Sequence, residues 1–254
     1  VAGAAYAPVI ELRDVAKSFG RVAALAGVSL SVARHSRVGI VGPSGGGKTT
    51  ILKIVAGLLD PDAGLVRVGD ATSPAQRLAR CALMPQRDLL LPWRTALDNA
   101  AIALENQGRS RAEARDRTRP LFERFGLGSF ETARPGELSG GMRQRVSFLR
   151  TLMADKDVLL LDEPFGALDS ITRAQMQEWL LQAMDAVPRT VLLVTHDVEE
   201  ALLLSRRVVV LSQRPGRVVA VLDADHRGDR SRREIVTSPE FVTLKERALE
   251  ALGA

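Results

Sequence analysis

The chain has 254 residues, a formal charge of +5 and 46% hydrophobic residues, the balance of an ordinary globular protein long enough to bury a substantial core. No apolar run approaches the roughly 20 residues that span a bilayer, and no stretch has the basic start, apolar centre and small-residue cleavage site of a signal peptide, so a cytoplasmic chain is expected. The basic residues of Arg109 to Arg119 and Arg227 to Arg233 alternate with acids and read as solvated faces, so the positive charge does not argue for a nucleic-acid partner.

Val1 to Pro8 is small and apolar and reads as a flexible leader. Val9 to Val15 and Val28 to Val32 alternate apolar and polar residues about a turn at Phe19-Gly20, which predicts a small antiparallel layer. Phe19, the aromatic at that turn, either stacks on a flat base or packs in the core. Arg37-Val38-Gly39-Ile40-Val41 then reads as a buried strand. It runs into Gly42-Pro43-Ser44-Gly45-Gly46-Gly47-Lys48-Thr49-Thr50, which fits G-x-x-x-x-G-K-[ST], and Thr50 to Val55 reads as a helix. In that setting the glycines let successive N–H groups face inward as a nest for phosphate, and the helix adds the positive end of its dipole. Lys48 would reach the outer phosphates and the Thr49 hydroxyl would hold Mg²⁺.

Turn residues from Gly57 to Gly64 lead to a short strand at Leu65 to Gly69. Another short strand, Cys81-Ala82-Leu83-Met84, exits through Pro85-Gln86-Arg87-Asp88. Cys81 is the single cysteine, so a disulfide within the chain is excluded, and its apolar setting reads as a buried, inert thiol. From Thr95 to Gly128 the periodicity becomes helical, with a break expected at Pro120, and this Arg-rich middle reads as a helical insertion before the sheet resumes.

Asp157 to Pro164 reads as a parallel strand buried on both faces that ends in Asp162 and Glu163. Open α/β sheets bind ligands at that end, so Asp162 is expected to hold Mg²⁺ through its water shell and Glu163 to polarise an attacking water. Capping of the next helix is the structural alternative for both acids. A helix from about Arg173 to Ala186 puts Trp179 in the core. Thr190 to Thr195 repeats the buried-strand pattern and ends at His196, again at a strand's C-terminal end, which favours a phosphate contact. His35 and His226 lack such a setting. Arg207 to Leu211 and Arg217 to Leu222 are expected as closing strands, and Ser238 to Leu252 as an amphipathic helix.

Glu137-Leu138-Ser139-Gly140-Gly141-Met142-Arg143-Gln144-Arg145 resembles the signature of ABC transporter nucleotide-binding subunits, LSGGQ or, in many importers, LSGGM. Gln86, Leu159-Leu160-Leu161-Asp162-Glu163-Pro164, Ala167-Leu168-Asp169 and Val194-Thr195-His196-Asp197 complete an ordered set, and the resemblance runs from about Ile10 to Leu252. It implies an α/β fold, a P-loop NTPase (RecA-like) core with an antiparallel β subdomain and an inserted α-helical subdomain. The nucleotide-binding domain would span 9–254 and the helical subdomain 89–155. Ser139, Gly140 and Gly141 open a helix, which makes a second anion site. The resemblance implies a homodimer facing head to tail, with each ATP held by the P-loop of one copy and Leu138 to Met142 of the other. It further implies that Phe19 stacks on adenine, Gln86 senses Mg²⁺ and the water, Glu163 is the general base, Asp169 crosses the dimer interface and His196 contacts the γ-phosphate.

Exporter-type chains usually carry a glutamate-containing loop before the signature and are often fused to membrane helices. Ala133-Arg134-Pro135-Gly136-Glu137 in that place, without a membrane span, points to an importer with separate permease subunits. The chain ends soon after the core, so the regulatory domain of sugar-type importers is not expected. Leu89-Leu90-Leu91-Pro92-Trp93, Phe165-Gly166-Ala167-Leu168-Asp169 and Arg214-Pro215-Gly216-Arg217 are similar to the nitrate, sulfonate and taurine importer ATPases. Trp93 is then either a permease anchor or a core residue. Phe148-Leu149-Arg150-Thr151 and Arg206 depart from that group's common pattern, and the first, with Met84 to Asp88, is closer to importers of pyrimidine precursors of thiamine.

The resemblance thus implies an ATPase peripheral to the cytoplasmic face of the inner membrane. It would work with transmembrane permease subunits and, indirectly, a periplasmic or extracellular substrate-binding protein, driving uptake of a small organic solute or anion. The alternative is a soluble ABC ATPase acting on nucleic acid or ribosomes. Such proteins usually carry two nucleotide domains or a long coiled-coil insertion, and this sequence has neither. A non-hydrolysing scaffold would lack Glu163 or His196, and both are present.

Overall fold

Alternate residues of the central strands belong to different packing layers, and this places the sheet in the middle of the molecule. The computed structural model of the chain describes residues 8–166, 168–186, 188–224 and 231–253. The expected leader at 1–7, Ala167, His226 and the start of the basic stretch at Arg227 lie outside the described residues. Strands β1 (Pro8–Phe19), β2 (Val22–Ala33), β3 (Arg37–Val41), β4 (Ala63–Val68), β5 (Cys81–Met84), β6 (Val158–Asp162), β7 (Thr190–Thr195), β8 (Arg207–Leu211) and β9 (Val218–Asp223) form two sheets. The first is antiparallel, in the order β2-β1-β4. The second has the order β5-β6-β7-β3-β8-β9 and is parallel except for β9 at its edge.

Side chains alternate across a strand, so a strand buried at every position must be covered on both faces. In β6 and β7, Val158, Leu160, Leu192 and Val194 pack with Ile10 and Leu12 of the antiparallel layer and with Ile51 and Leu52 of α1 (Lys48–Val55). The intervening Leu159, Leu161, Val191 and Leu193 pack with Leu97, Phe122, Phe148 and Leu149. Those last residues come from α3 (Ala96–Asn106), α4 (Arg111–Arg124) and α5 (Gly140–Met153), which follow α2 (Pro74–Arg80) and lie in sequence between β5 and β6. α6 (Ser170–Ala186), α7 (Val198–Leu204), α8 (Arg232–Val236) and α9 (Pro239–Leu252) complete the chain. The departure at Phe148 has a packing role: its ring centroid lies 6.0 Å from those of Phe125 and Trp179 and 6.1 Å from that of Phe165.

Two expectations change. Pro120 does not break a helix, because α4 runs through it, and the interruption falls instead between Asn106 and Arg111. Pro120 is on the exposed face, so water can serve the carbonyl that its missing N–H leaves free. The helices α2, α7 and α8 were not foreseen. Ser73 with Gln76, and Ser231 with Glu234, are capping boxes legible in the sequence, but helices of seven residues or fewer are too short to show a period.

In the helical region the buried carboxylate of Asp98 holds α3 to α4. It receives Arg115 Nε at 2.6 Å and Arg111 Nη2 at 2.5 Å, and the Thr95 hydroxyl at 3.0 Å. Burial pushes this carboxyl up, but the two guanidiniums and Thr95 outweigh it and hold it well below the usual carboxylate range. A depressed folded-state value gives stability that is present above the unfolded value and lost as pH falls. Asp98→Asn should therefore cost about 1–2 kcal/mol at neutral pH, discounted for the partly exposed arginines. In urea unfolding, the gap to the wild-type chain should narrow progressively below about pH 4, where the unfolded chain takes up a proton at Asp98 that the folded carboxylate still refuses.

Candidate functional site

β3 carries the chain to the C-terminal edge of the large sheet, where residues 42–47 turn back into α1. The Gly46 N–H donates to the Pro43 carbonyl at 3.1 Å, and Gly45 and Gly47 have φ of 79° and 87°. A Cβ at Gly47 would lie 2.9 Å from the Ala24 carbonyl oxygen, and one at Gly42 the same distance from that of Leu211. Close packing on β2 and β8 thus demands glycine at both ends of the loop. Lys48 is buried and donates from Nζ to the carbonyls of Gly42 at 2.7 Å and Pro43 at 3.0 Å. Burial lowers its pKa, while Glu163 and Asp162 act in the opposite direction. A phosphate offers this ammonium charged acceptors in place of two carbonyls.

Above the loop lies a cleft of about 450 Å³ whose lining includes Phe19, Ser44, Lys48, Gln86, Glu163 and Arg214. Phe19 is 52% exposed, which removes the core reading. Arg214 is a residue to which the sequence reading gave no role. Its Nε donates to the Gly45 carbonyl at 3.3 Å. Its loop is fastened to β2 by Gly216 N–H to Ala24 O at 2.9 Å and Ala26 N–H to Gly216 O at 3.1 Å. The sequence carried only a family likeness at Arg214 to Arg217, and no local pattern could show that this cation returns to the phosphate loop. A larger cavity, about 680 Å³, opens at the opposite end of the strands, beside Arg34, Arg37, Arg189 and Arg207. None of the expected site residues lines it.

The acidic strand end meets the loop directly. The Thr49 hydroxyl donates to Asp162 Oδ1 at 3.1 Å. Burial pushes the Asp162 carboxyl up, the Thr49 bond opposes this, and the neighbouring Glu163 adds to it. A hydroxyl and a buried carboxylate at the foot of a phosphate cleft are hard oxygen donors, and a divalent cation there would relieve the buried charge, so they fit Mg²⁺. Glu163 has φ of 47°, a left-handed backbone that costs of order 1–3 kcal/mol for a residue with a side chain. Its N–H donates to Val194 O at 2.8 Å. Gln86 Nε2 donates to Glu163 Oε2 at 2.9 Å, and His196 Nδ1 stands 3.4 Å from Oε1. Residues at the ends of three neighbouring strands thus converge on one carboxylate. Capping of α6 falls to Asp169 instead, whose Oδ1 accepts from Ile171 N–H at 3.1 Å and Thr172 N–H at 3.0 Å.

Ser139 caps α5 through the Met142 N–H at 3.2 Å, and Gly140 and Gly141 form its first turn. None of these three lines the P-loop cleft. The same helix grips the segment after Gln86. Arg143 Nε donates to Asp88 Oδ2 at 3.0 Å, and Arg150 donates to the carbonyls of Asp88 at 2.7 Å and Leu89 at 2.8 Å. Trp93, farther along that segment, is 70% exposed, so it is not a core residue.

Known proteins share these features. The family model described as ABC transporter matches residues 25–166. A taurine import ATP-binding protein of Rhizobium johnstonii is 44% identical over 238 residues, 91% of this chain and 90% of its own length. One from Pseudomonas savastanoi pv. phaseolicola is 38% identical over 250 residues, 96% of this chain and 95% of its own length. Among solved structures, a dimeric post-hydrolysis state of the ATP-binding cassette MJ0796 bound to ADP and Pi is similar with a TM-score of 0.76 and 30% identity, over 86% of this chain and 99% of that one. A phosphate loop, signature helix and acidic strand in this order, in a chain with these relatives, make it a member of the ABC transporter family, one of its ATP-binding and ATP-hydrolysing chains.

Proposed function

We propose that this chain is the ATPase subunit of an importer that drives uptake of a small organic solute, a sulfonate such as taurine, through separate permease subunits. The observation that carries the reading is the meeting of Gln86 and His196 at the carboxylate of Glu163, which lines the P-loop cleft, in a chain whose relatives are named for taurine import. Residues 9–254 are its nucleotide-binding domain, with 89–155 as the helical subdomain.

In this reading adenine stacks on Phe19, the phosphates lie along residues 42–50, and Lys48 leaves its two carbonyls for the outer phosphate oxygens. Arg214 adds positive charge at the rim. Thr49, Asp162 and Gln86 hold Mg²⁺, which when bound neutralises charge on the phosphates. Glu163 accepts the proton of the attacking water, Gln86 and the strained backbone fix its carboxylate, and His196 meets the γ-phosphate. Ser139, Gly140 and Gly141 serve the nucleotide of a second copy, and Asp169 lies at that interface. The chain works peripherally at the cytoplasmic face of the membrane, and a substrate-binding protein delivers the solute to the permease. No helix among the described residues is long and apolar enough to cross a membrane. Trp93 and Leu89 form the permease contact, on a segment that Arg143 and Arg150 tie to the signature helix.

Glu163→Gln should keep ATP affinity and lower turnover about 10²–10⁴-fold, read as nucleotide binding beside phosphate release. Wild-type turnover would remove Glu163 from the base role. Cells whose only copy is the Glu163→Gln chain should fail to take up labelled taurine, whereas uptake at the wild-type rate would contradict the import assignment. Trp93→Ala should leave the isolated chain's ATP affinity unchanged and abolish co-purification of a multi-span membrane protein.

A further inference from the structure

Beside the Glu163–His196 pair lies a small cavity of about 30 Å³, whose lining also includes Arg173, Thr195, Asp197 and Glu200. Glu200, on α7, is only 4% exposed, and its Oε1 has no hydrogen-bond partner among the described residues. Arg173, on α6, reaches the same place. Its Nη2 donates to the Leu168 carbonyl at 3.0 Å, its Nη1 stands 4.0 Å from Asp197 Oδ2, and its buried Nε is without a partner among the described residues. Buried polar atoms without protein partners are commonly served by ordered water. A water needs about 10–15 Å³ of such space and two to four polar neighbours. The cavity meets both requirements, because Glu200, Arg173, Glu163 and His196 all line it.

We propose that Glu200 is a positioning residue for ATP hydrolysis, acting through one water in this cavity to hold Glu163 and the His196 turn in place, with Arg173 linking both to the Leu168–Asp169 loop. It rests on the roles given above to Glu163 and His196. The charges that face Glu200 are the carboxylates of Asp197, on its own turn, and Glu163, at the end of β6, with Arg173 of α6 and His196 beside them. Glu199, the preceding residue, is engaged elsewhere by Lys245 of α9 and Arg232 of α8. Burial pushes the Glu200 carboxyl up to about 7 and Asp197 pushes the same way, against Thr195 and Arg173. The neutral acid is the form suited to this place, because it donates a hydrogen bond toward Glu163 instead of adding a third negative charge. A glutamine reproduces that neutral donor, and an alanine does not.

The test is steady-state ATP hydrolysis by the full chain, with ATP affinity and melting temperature measured on the same samples. Glu200→Ala should lower kcat about tenfold or more while KM stays within about twofold, because misplacing a reacting group acts on the chemical step. Glu200→Gln should restore kcat to within about threefold of wild type. Wild-type kcat in Glu200→Ala, or a Glu200→Gln chain as impaired as the alanine variant, would overturn the proposal. If Glu200→Ala does not fold, Arg173→Gln serves in its place: a fall in kcat at unchanged KM supports the linkage and wild-type kcat refutes it. A wild-type chain without hydrolysis would strike at the reading of Glu163 and His196 as a hydrolytic pair, a failure separable from that of Glu200.

Discussion

A triphosphate carries several negative charges that must be met by donors fixed in advance, and the rest of this structure depends on holding such donors still. Residues 42–47 can present N–H groups inward only in a conformation that includes left-handed glycines, packed against backbone on two sides. The antiparallel layer supplies one wall through Ala24 and Leu25. β8 and the loop at Arg214 to Gly216 supply the other. The buried sheet beneath, filled from both faces by branched and aromatic side chains, makes this cradle rigid.

From that constraint follows the position of the chemistry. Parallel strands bring their C-terminal ends to one edge, so segments far apart in the chain deliver Gln86 and His196 to the carboxylate of Glu163. The signature helix obeys a different geometry. Its N-terminus has the charge character of an anion site but does not line the P-loop cleft of its own chain. An anion site without an anion in its own subunit gains a physical purpose when a second copy supplies one. The grip of Arg143 and Arg150 on the segment after Gln86 then connects that second site to the exposed Trp93.

Much of this was legible in the sequence because the local signals are strong. The runs at Val158 to Asp162 and Thr190 to Thr195 are uninterrupted apolar strands, and the loop from Gly42 to Thr49 has one structural meaning between a strand and a helix. What stayed hidden depends on distant contacts or on elements too short for periodicity. Proline at 120 looks like a breaker until α4 turns it toward water. Arg214 reaches Gly45 across 169 positions, a closure that no window reveals. Glu199 and Glu200 are identical letters side by side, and only the packing of α7 exposes the first to cationic partners and buries the second beside Glu163 and His196.

The central claim is that one nucleotide is shared between the P-loop of one copy and the signature of another. Its most direct measurement is the mass in solution of the Glu163→Gln chain with and without ATP, compared with the same chain also carrying Ser139→Glu. The account predicts that ATP doubles the mass of the first, and that the second still binds ATP but remains a monomer, because a carboxylate at Ser139 repels the phosphates it should hold. ATP binding without association in the first chain, or an ATP-dependent dimer that survives Ser139→Glu, would contradict it.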